Sequence, residues 1–352
     1  MESIITYELS KHYHGKSALS RVSLQVPEGK AYACVGPDGA GKTTLLRLLS
    51  GLYRPSAGDC SVLGLSPFFE ADRLHALLGA VLNSAQLYKR MTISENLHFF
   101  AGLNEVDEND AIDRLSFLLH RLDIWESRDE RAGDVTTGVM HRACLARALM
   151  HRPKVLLMDA PTDGFDRESA DAIRDLLSYL TEEEGVSLLF CTEDMDYAQE
   201  LCESFFLLDR GDLIARGNVE SLRLGAGVNC RALLRLAEEE RPPKGFRANG
   251  ESWQKEIRNE EELPTLISQL TAEGKHVYEA RIVRPGLSEI YAAYLAGGVH
   301  RAGENIEQDG ENEDGTNAAD GETAAAAQHP YAAESDSTAA FGSGQEEREI
   351  QP

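Results

Sequence analysis

Eight residues near the start of the chain have the types and spacing to hold phosphate. Gly36, Gly41, Lys42 and Thr43 fit G-x-x-x-x-G-K-[ST], with Pro37, Asp38, Gly39 and Ala40 between them, and Thr44 follows. Glycines in such a loop let successive backbone N–H groups turn inward around phosphate oxygens, the lysine reaches the β and γ oxygens, and the threonine hydroxyl holds Mg²⁺. The flanks suit this chemistry: residues 30–35 read as a strand and residues 43–50 as a helix closed by Gly51, so the loop opens onto a helix N-terminus, where anions are favoured. Far downstream, the apolar run 155–158 ends in Asp159, the place for a second oxygen anchor of Mg²⁺. Alone, an acid at a strand end reads equally as a solvated turn residue; beside the phosphate loop it becomes a metal-ligand candidate.

Those side chains need a scaffold, and the hydrophobic pattern describes one. Residues 3–9 and 22–26 are β-like stretches broken at His14, Gly15 and Pro27 to Gly29, the pattern of a hairpin or small antiparallel sheet. Residues 87–150 read as mostly helical, with Thr92 and Glu95 spaced as a capping box. Strands at 155–158 and 186–191 bracket a helix over 167–180, and 205–208 adds another strand. Such alternation implies an α/β fold around a mostly parallel sheet covered on both faces. After residue 223 the pattern changes to a small α/β segment through 232–236 and 277–283 to a helical stretch at 287–295.

Composition narrows the function classes. The 352 residues carry 59 acids against 35 lysines and arginines, a formal charge of −24. Residues 301–352 hold 13 of the acids and two bases, so they supply −11 of it. An acidic body lacks the dense basic face that binding a phosphate backbone requires, so no nucleic-acid partner is expected. The tail beyond Arg301 has almost no large apolar residue and is expected to be disordered. Six cysteines without a C-x-x-C pair read as reduced, mostly buried thiols of a cytosolic protein. His12 and His14 read as hairpin surface rather than a metal site. No secretory leader pattern and no apolar run of bilayer-spanning length is seen, so any membrane role must come through a partner.

At this point the chain resembles the nucleotide-binding subunits of ABC transporters. The resemblance covers about residues 1–225 and rests on the phosphate loop through Thr44, TISENL at 92–97, LARAL at 145–149 and PTDGFD at 161–166. It implies a P-loop ATPase core with an antiparallel β subdomain and a helical signature subdomain at about 87–150. It also implies an accessory domain over 226–300 and a tail or linker over 301–352. The implied cofactors are ATP and Mg²⁺, the latter on Thr43 and Asp159. Tyr13 would stack on adenine, although a tyrosine beside a hairpin also serves simply as packing, and Asp166 would meet a facing domain. The implied partners are an integral-membrane permease and a second nucleotide-binding domain, as heterodimer or homodimer, on the inner face of the cell membrane. Residues 282–298 look like the end of the accessory region of drug-efflux exporters whose cytosolic chain carries two nucleotide domains in tandem.

The departures from that family's pattern fall on hydrolysis. The glutamate expected after the strand-end acid is Ala160, and the histidine expected after Thr192 is Glu193. The γ-phosphate-sensing glutamine is replaced by Asn83, with Gln86 out of register, and the signature loop reads Val135, Thr136, Thr137, Gly138, Val139. Thr136 keeps a hydroxyl and Gly138 a close backbone approach, while Thr137 adds a β-branched side chain where the family has glycine. The resemblance therefore implies an ATP-binding subunit, most similar to exporters, with weak or partner-dependent hydrolysis; a non-catalytic nucleotide sensor or scaffold is the alternative. Glu193 is a candidate substitute base. Otherwise, beside a γ-phosphate, it must turn away, be protonated or contact Mg²⁺. Arg142 and Arg147, at helical spacing behind the signature loop, read as solvated or as packing partners of that helix rather than ligands.

Overall fold

The computed structural model describes residues 1–82, 87–159, 167–237 and 245–297. Asn83, Gln86, Ala160, residues 161–166 and the tail 301–352 lie outside the described residues.

The chain opens with β1 (Glu2–Tyr13) and β2 (Lys16–Pro27), an antiparallel hairpin turned by His14 and Gly15, both at positive φ as a two-residue hairpin loop needs. β3 (Ala31–Val35) runs through the phosphate loop into α1 (Lys42–Leu49), which buries Leu45, Leu46, Leu48 and Leu49. β4 (Ala57–Val62) returns to the hairpin and completes an antiparallel sheet in the order β2-β1-β4. After α2 (Ala71–His75) and β5 (Leu78–Val81) come α3 (Ile93–Leu103), α4 (Glu108–Arg121) and α5 (Thr137–Leu149). Each of these three starts at a side chain that accepts a hydrogen bond from the first turn. Thr92 does so in a full capping box with Glu95, and Asp107 and Thr136 cap singly.

Strand and helix then alternate through β6 (Val155–Asp159), α6 (Arg167–Glu182), β7 (Ser187–Thr192), α7 (Met195–Leu201) and β8 (Ser204–Asp209), followed by β9 (Asp212–Gly217) and α8 (Val219–Gly225). The main sheet has the order β5-β6-β7-β3-β8-β9, parallel except for the edge strand β9. Every residue of β6 and β7 is buried, because successive side chains enter different cores. Leu156, Met158, Leu188 and Phe190 meet α5 and α6, whereas Val155, Leu157, Leu189 and Cys191 meet α1 and the hairpin. This is the α/β arrangement read from the sequence, with β9 and the short elements α2, β5, α7 and α8 in addition.

Residues 230–283 build a second antiparallel sheet. It consists of β10 (Cys230–Leu236), β11 (Arg247–Asn249), β12 (Ser252–Ile257) and, after α9 (Glu262–Ala272), β13 (Val277–Val283), in the order β11-β12-β10-β13. Cys230, Ala232, Leu234 and Leu236 pack with Leu263, Leu266 and Leu270 of α9. α10 (Leu287–Ala296) leaves this sheet and puts Leu287, Ile290 and Tyr291 into the core shared with α5 and α6. The six cysteines are all buried and free, and among the described residues no helix is long and apolar enough to cross a membrane.

Candidate functional site

The phosphate loop leaves β3 at Val35 and enters α1 at Gly41, and its shape depends on glycine at specific points. Gly39 and Gly41 have φ of +79° and +107°, the left-handed region. Gly36 has ordinary φ but no room: a Cβ there would lie 2.2 Å from the Leu208 carbonyl oxygen. At Gly41 a Cβ would lie 2.5 Å from the Ala18 carbonyl oxygen. The β8–β9 turn braces the loop a second time, Gly211 N–H donating to the Ala40 carbonyl at 2.9 Å.

Lys42 donates from Nζ to the carbonyls of Gly36 at 2.7 Å and Pro37 at 2.9 Å, which lays its charge across the start of the loop. α1 has no acidic residue in its first turn and no side-chain cap. Its first N–H groups thus carry the positive end of the helix dipole without an internal counter-charge. Asp38 is exposed, Ala40 is buried, and Thr43 and Thr44 are half-buried in the first turn.

Three strands end together behind this loop. Asp159 of β6 pairs in register with Cys191 of β7, which pairs with Cys34 of β3, and Val35 pairs with Thr192. Cys191 donates from Sγ to the Lys42 carbonyl at 3.7 Å, joining β7 to α1. Burial pushes the Cys191 thiol well above the usual thiol range; the Cys34 thiol and the Asp159 carboxylate add to this, and Lys42 opposes it. Through Cys191, which pairs with Asp159 and bonds the Lys42 carbonyl, the end of β6 is tied to the start of α1. Asp159 is only 6 % exposed. The Thr43 hydroxyl and the Asp159 carboxylate are hard oxygen donors, the kind that suits Mg²⁺.

Just beyond β7, Thr192 Oγ1 accepts from Asp194 N–H at 3.0 Å, and Asp194 Oδ1 accepts from Tyr197 N–H at 2.9 Å to cap α7. The backbone on both sides of Glu193 is thus tied down while Glu193 itself is exposed.

A family model described as ABC transporter matches residues 19–163. The ABC transporter ATP-binding protein NatA of Bacillus subtilis is 32 % identical over 206 residues, spanning 58 % of this chain and 83 % of its own. The chain belongs to the ABC transporter ATP-binding proteins. The probable multidrug ABC transporter ATP-binding protein YbhF of Escherichia coli is 33 % identical over 224 residues, which are 63 % of this chain but 38 % of that one. Among solved structures, the ATP-binding cassette MJ0796, a dimer bound to ADP and Pi, superimposes with a TM-score of 0.57 at 23 % identity. The match covers 61 % of this chain and 98 % of that one, and it shows the shared fold.

As an ATP-binding subunit of an ABC transporter, this chain carries its remaining marker residues in three places. Thr136 caps α5, its Oγ1 accepting from Val139 N–H at 3.4 Å, and Thr137 and Gly138 form the exposed to half-buried first turn. Arg142 donates to the carbonyls of Leu122 at 2.9 Å and Asp123 at 3.2 Å, and Arg147 lies over the Phe100 ring at 5.0 Å. Both arginines hold α5 in place, as read from the sequence. Tyr13 meets Tyr53 edge-on, with ring centroids 6.0 Å apart, and Lys11 Nζ lies 5.3 Å from its ring.

Two contributors were not read from the sequence. Asn96 is fully buried, accepts from Tyr88 N–H at 2.7 Å and donates to the carbonyls of Tyr88 at 3.1 Å and Thr92 at 2.8 Å, and so shapes residues 88–92. A polar residue on the apolar side of α3 was the available signal. Gly211 is the other, and the turn triplet Asp209, Arg210, Gly211 after an apolar strand marked it.

Proposed function

We propose that this chain binds MgATP in the loop of residues 36–43, closes against a second nucleotide-binding domain and drives or gates a separate integral-membrane permease. Its place is the inner face of the cell membrane and its direction export, with hydrolysis weak or dependent on the partner domain. Residues 1–225 are the nucleotide-binding domain, 226–300 an accessory domain and 301–352 a tail or former linker. The observation that carries this reading is the loop itself, with left-handed glycines at 39 and 41 and Lys42 laid across its mouth. Lys42 would hold the β and γ oxygens, Thr43 and Asp159 the Mg²⁺, and Tyr13 the adenine, with Gly36, Asp38, Gly39, Ala40, Gly41 and Thr44 lining the loop. Bound Mg²⁺ would supply charge neutralisation between the phosphates.

Weak hydrolysis follows from Ala160, which has no carboxylate to position water. A general base contributes about 10² to 10⁴ in rate, so its loss adds roughly 3–5 kcal/mol to the barrier. Glu193 is the carboxylate that could stand in, because β6 and β7 run parallel and in register to neighbouring ends. The facing site would use Thr136 and Gly138 of this chain, and Asp166 and Asn83 belong to the same interface and coupling roles. The dimer of MJ0796 supports the pairing; the relatives include both the multidrug protein YbhF and a methionine import protein, so export rests on the resemblance of residues 282–298. A heterodimer would confine the Ala160 and Glu193 departures to one of its two sites.

Phosphate release from ATP by the purified chain, with Lys42→Ala as the blank, is the test. Binding of MgATP with no release above the blank supports a partner-dependent site, and the same null result in the assembled complex favours a non-catalytic sensor. Release that Glu193→Gln abolishes would make Glu193 the base, and release unchanged by that substitution removes it from the chemistry. Failure of the wild-type chain to bind MgATP would end the reading.

A further inference from the structure

The C-terminal helix reaches the phosphate loop through one carbonyl. Tyr291 of α10 donates from its hydroxyl to the Leu208 carbonyl at 2.9 Å, a buried bond spanning 83 residues of sequence. That same oxygen sits where a Cβ of residue 36 would be, against the first glycine of the loop. β3 and β8 pair as far as Val35 and Leu207, so Leu208 stands where the loop departs from the sheet. The β8–β9 pairing also shifts register between Leu207 and Leu208. Three residues on, the turn following Leu208 gives the Gly211 N–H to Ala40. One short segment, 208–211, thus touches the loop at both its first glycine and its last turn, and Tyr291 holds the near end of that segment.

The helix is itself firmly seated. Leu287 N–H donates to Gln199 Oε1 of α7 at 2.7 Å, and Leu287 and Ile290 are fully buried. Burial, aided by Asp209 and Cys34, pushes the Tyr291 hydroxyl up to about 12, so it remains a donor across the neutral range. At its start α10 is also tied to the second sheet, by Arg231 of β10 and Glu289 at 2.6 Å.

We propose that Tyr291 is a positioning residue of the nucleotide site. By holding the Leu208 carbonyl against Gly36 it fixes the phosphate loop and makes nucleotide affinity depend on the C-terminal helix. The inference rests on the reading of residues 36–43 as the ATP site. Tyr291 touches neither the loop nor a ligand; it acts through the β8–β9 turn. By linkage, nucleotide that settles the loop must in turn tighten the seat of α10.

The test uses the full chain and three variants: Tyr291→Phe, Ile290→Val and Lys42→Ala. MgATP dissociation constants are measured well below the unfolding temperature, together with nucleotide-free Tm and amide hydrogen exchange at residues 36–42 and 287–291. Tyr291→Phe is expected to weaken MgATP about three- to ten-fold, the worth of one hydrogen bond. It should also speed exchange in 36–42 and abolish the slowing of exchange in 287–291 that ATP causes in the wild type. Ile290→Val trims the packing of the same helix but keeps the Tyr291 hydroxyl, so it should lower Tm while weakening MgATP much less than Tyr291→Phe does. Wild-type affinity and loop exchange in Tyr291→Phe, or an equal loss in Ile290→Val, would overturn the proposal and leave Tyr291 a structural residue. If Lys42→Ala binds MgATP as the wild type does, the ATP reading of the loop fails instead, and loop exchange in Tyr291→Phe still decides whether Tyr291 positions it.

Discussion

Two glycine-bearing loops of this chain are walled by different things. In residues 36–41 the glycines are demanded from within: added side-chain atoms at 36 and 41 would run into the Leu208 and Ala18 carbonyls, and residues 39 and 41 hold positive φ. In residues 135–139, among the described residues a Cβ at Gly138 would meet Ser169 Oγ alone, at an ordinary 3.7 Å, and residue 138 itself is helical. The first loop is shaped by the chain's own packing and is complete without company. The second keeps its glycine although nothing among the described residues requires one.

The largest expected effect comes from the anchor behind the second loop. Arg114 of α4, 2 % exposed, makes a two-pronged pair with Glu184 at 2.6 and 3.0 Å and donates from Nε to the Leu149 carbonyl at 3.2 Å, at the far end of α5. Glu184→Ala leaves a guanidinium buried without its counter-charge and is expected to cost about 3–5 kcal/mol in urea unfolding. A loss under about 1 kcal/mol would mean that the region bearing the signature loop is held by something other than this pair, and the contrast between a fixed far end and an open near end would lapse.

Next in size is Gly36→Ala. The new Cβ would be forced on a backbone oxygen that cannot swing aside as a side chain would, and overpacking with backbone strain predicts a loss of about 2–4 kcal/mol. Gly39→Ala is the matched control, with open space around it but φ of +79°, and should lose about 1–2 kcal/mol from strain alone. A loss at 36 no larger than at 39 would show that the contact with the Leu208 carbonyl relaxes, leaving the positive φ at 39 and 41 as what demands glycine in this loop.

Legibility in the sequence follows the same division between local and distant causes. The phosphate loop was legible because its chemistry is a matter of consecutive backbone: eight residues between an apolar strand and a helix carry the whole pattern. The capping box at Thr92 and Glu95 was legible for the same reason, and the structure shows both of its hydrogen bonds. The β11–β12 hairpin had a signal that went unread, Asn249 and Gly250 ahead of an alternating segment, with Gly250 at φ +59°. Arg114 with Glu184 and Tyr291 with Leu208 had none, since they join residues 70 and 83 positions apart and no local period marks either partner. Tyr291 did lie in the 282–298 stretch that resembled the accessory region of exporters, but resemblance carried no contact.

The smallest expected effect on the chain alone is the most informative about the second loop. Gly138→Ala adds a methyl group with room around it in a helical turn, so the isolated protein should gain about 0.5–1 kcal/mol in urea unfolding from helix propensity alone. On the proposed pairing, the same methyl would stand on the surface offered to a facing domain, and ATP-driven pairing, read by sedimentation with the partner present, should weaken. Stability up and pairing down is the combination that only an externally walled glycine produces. A stability loss comparable to that of Gly36→Ala would place the missing wall inside the chain after all. A gain in stability with unchanged pairing would leave Gly138 without a partner-facing role and move attention to the hydroxyl of Thr136, which then caps α5 and nothing more.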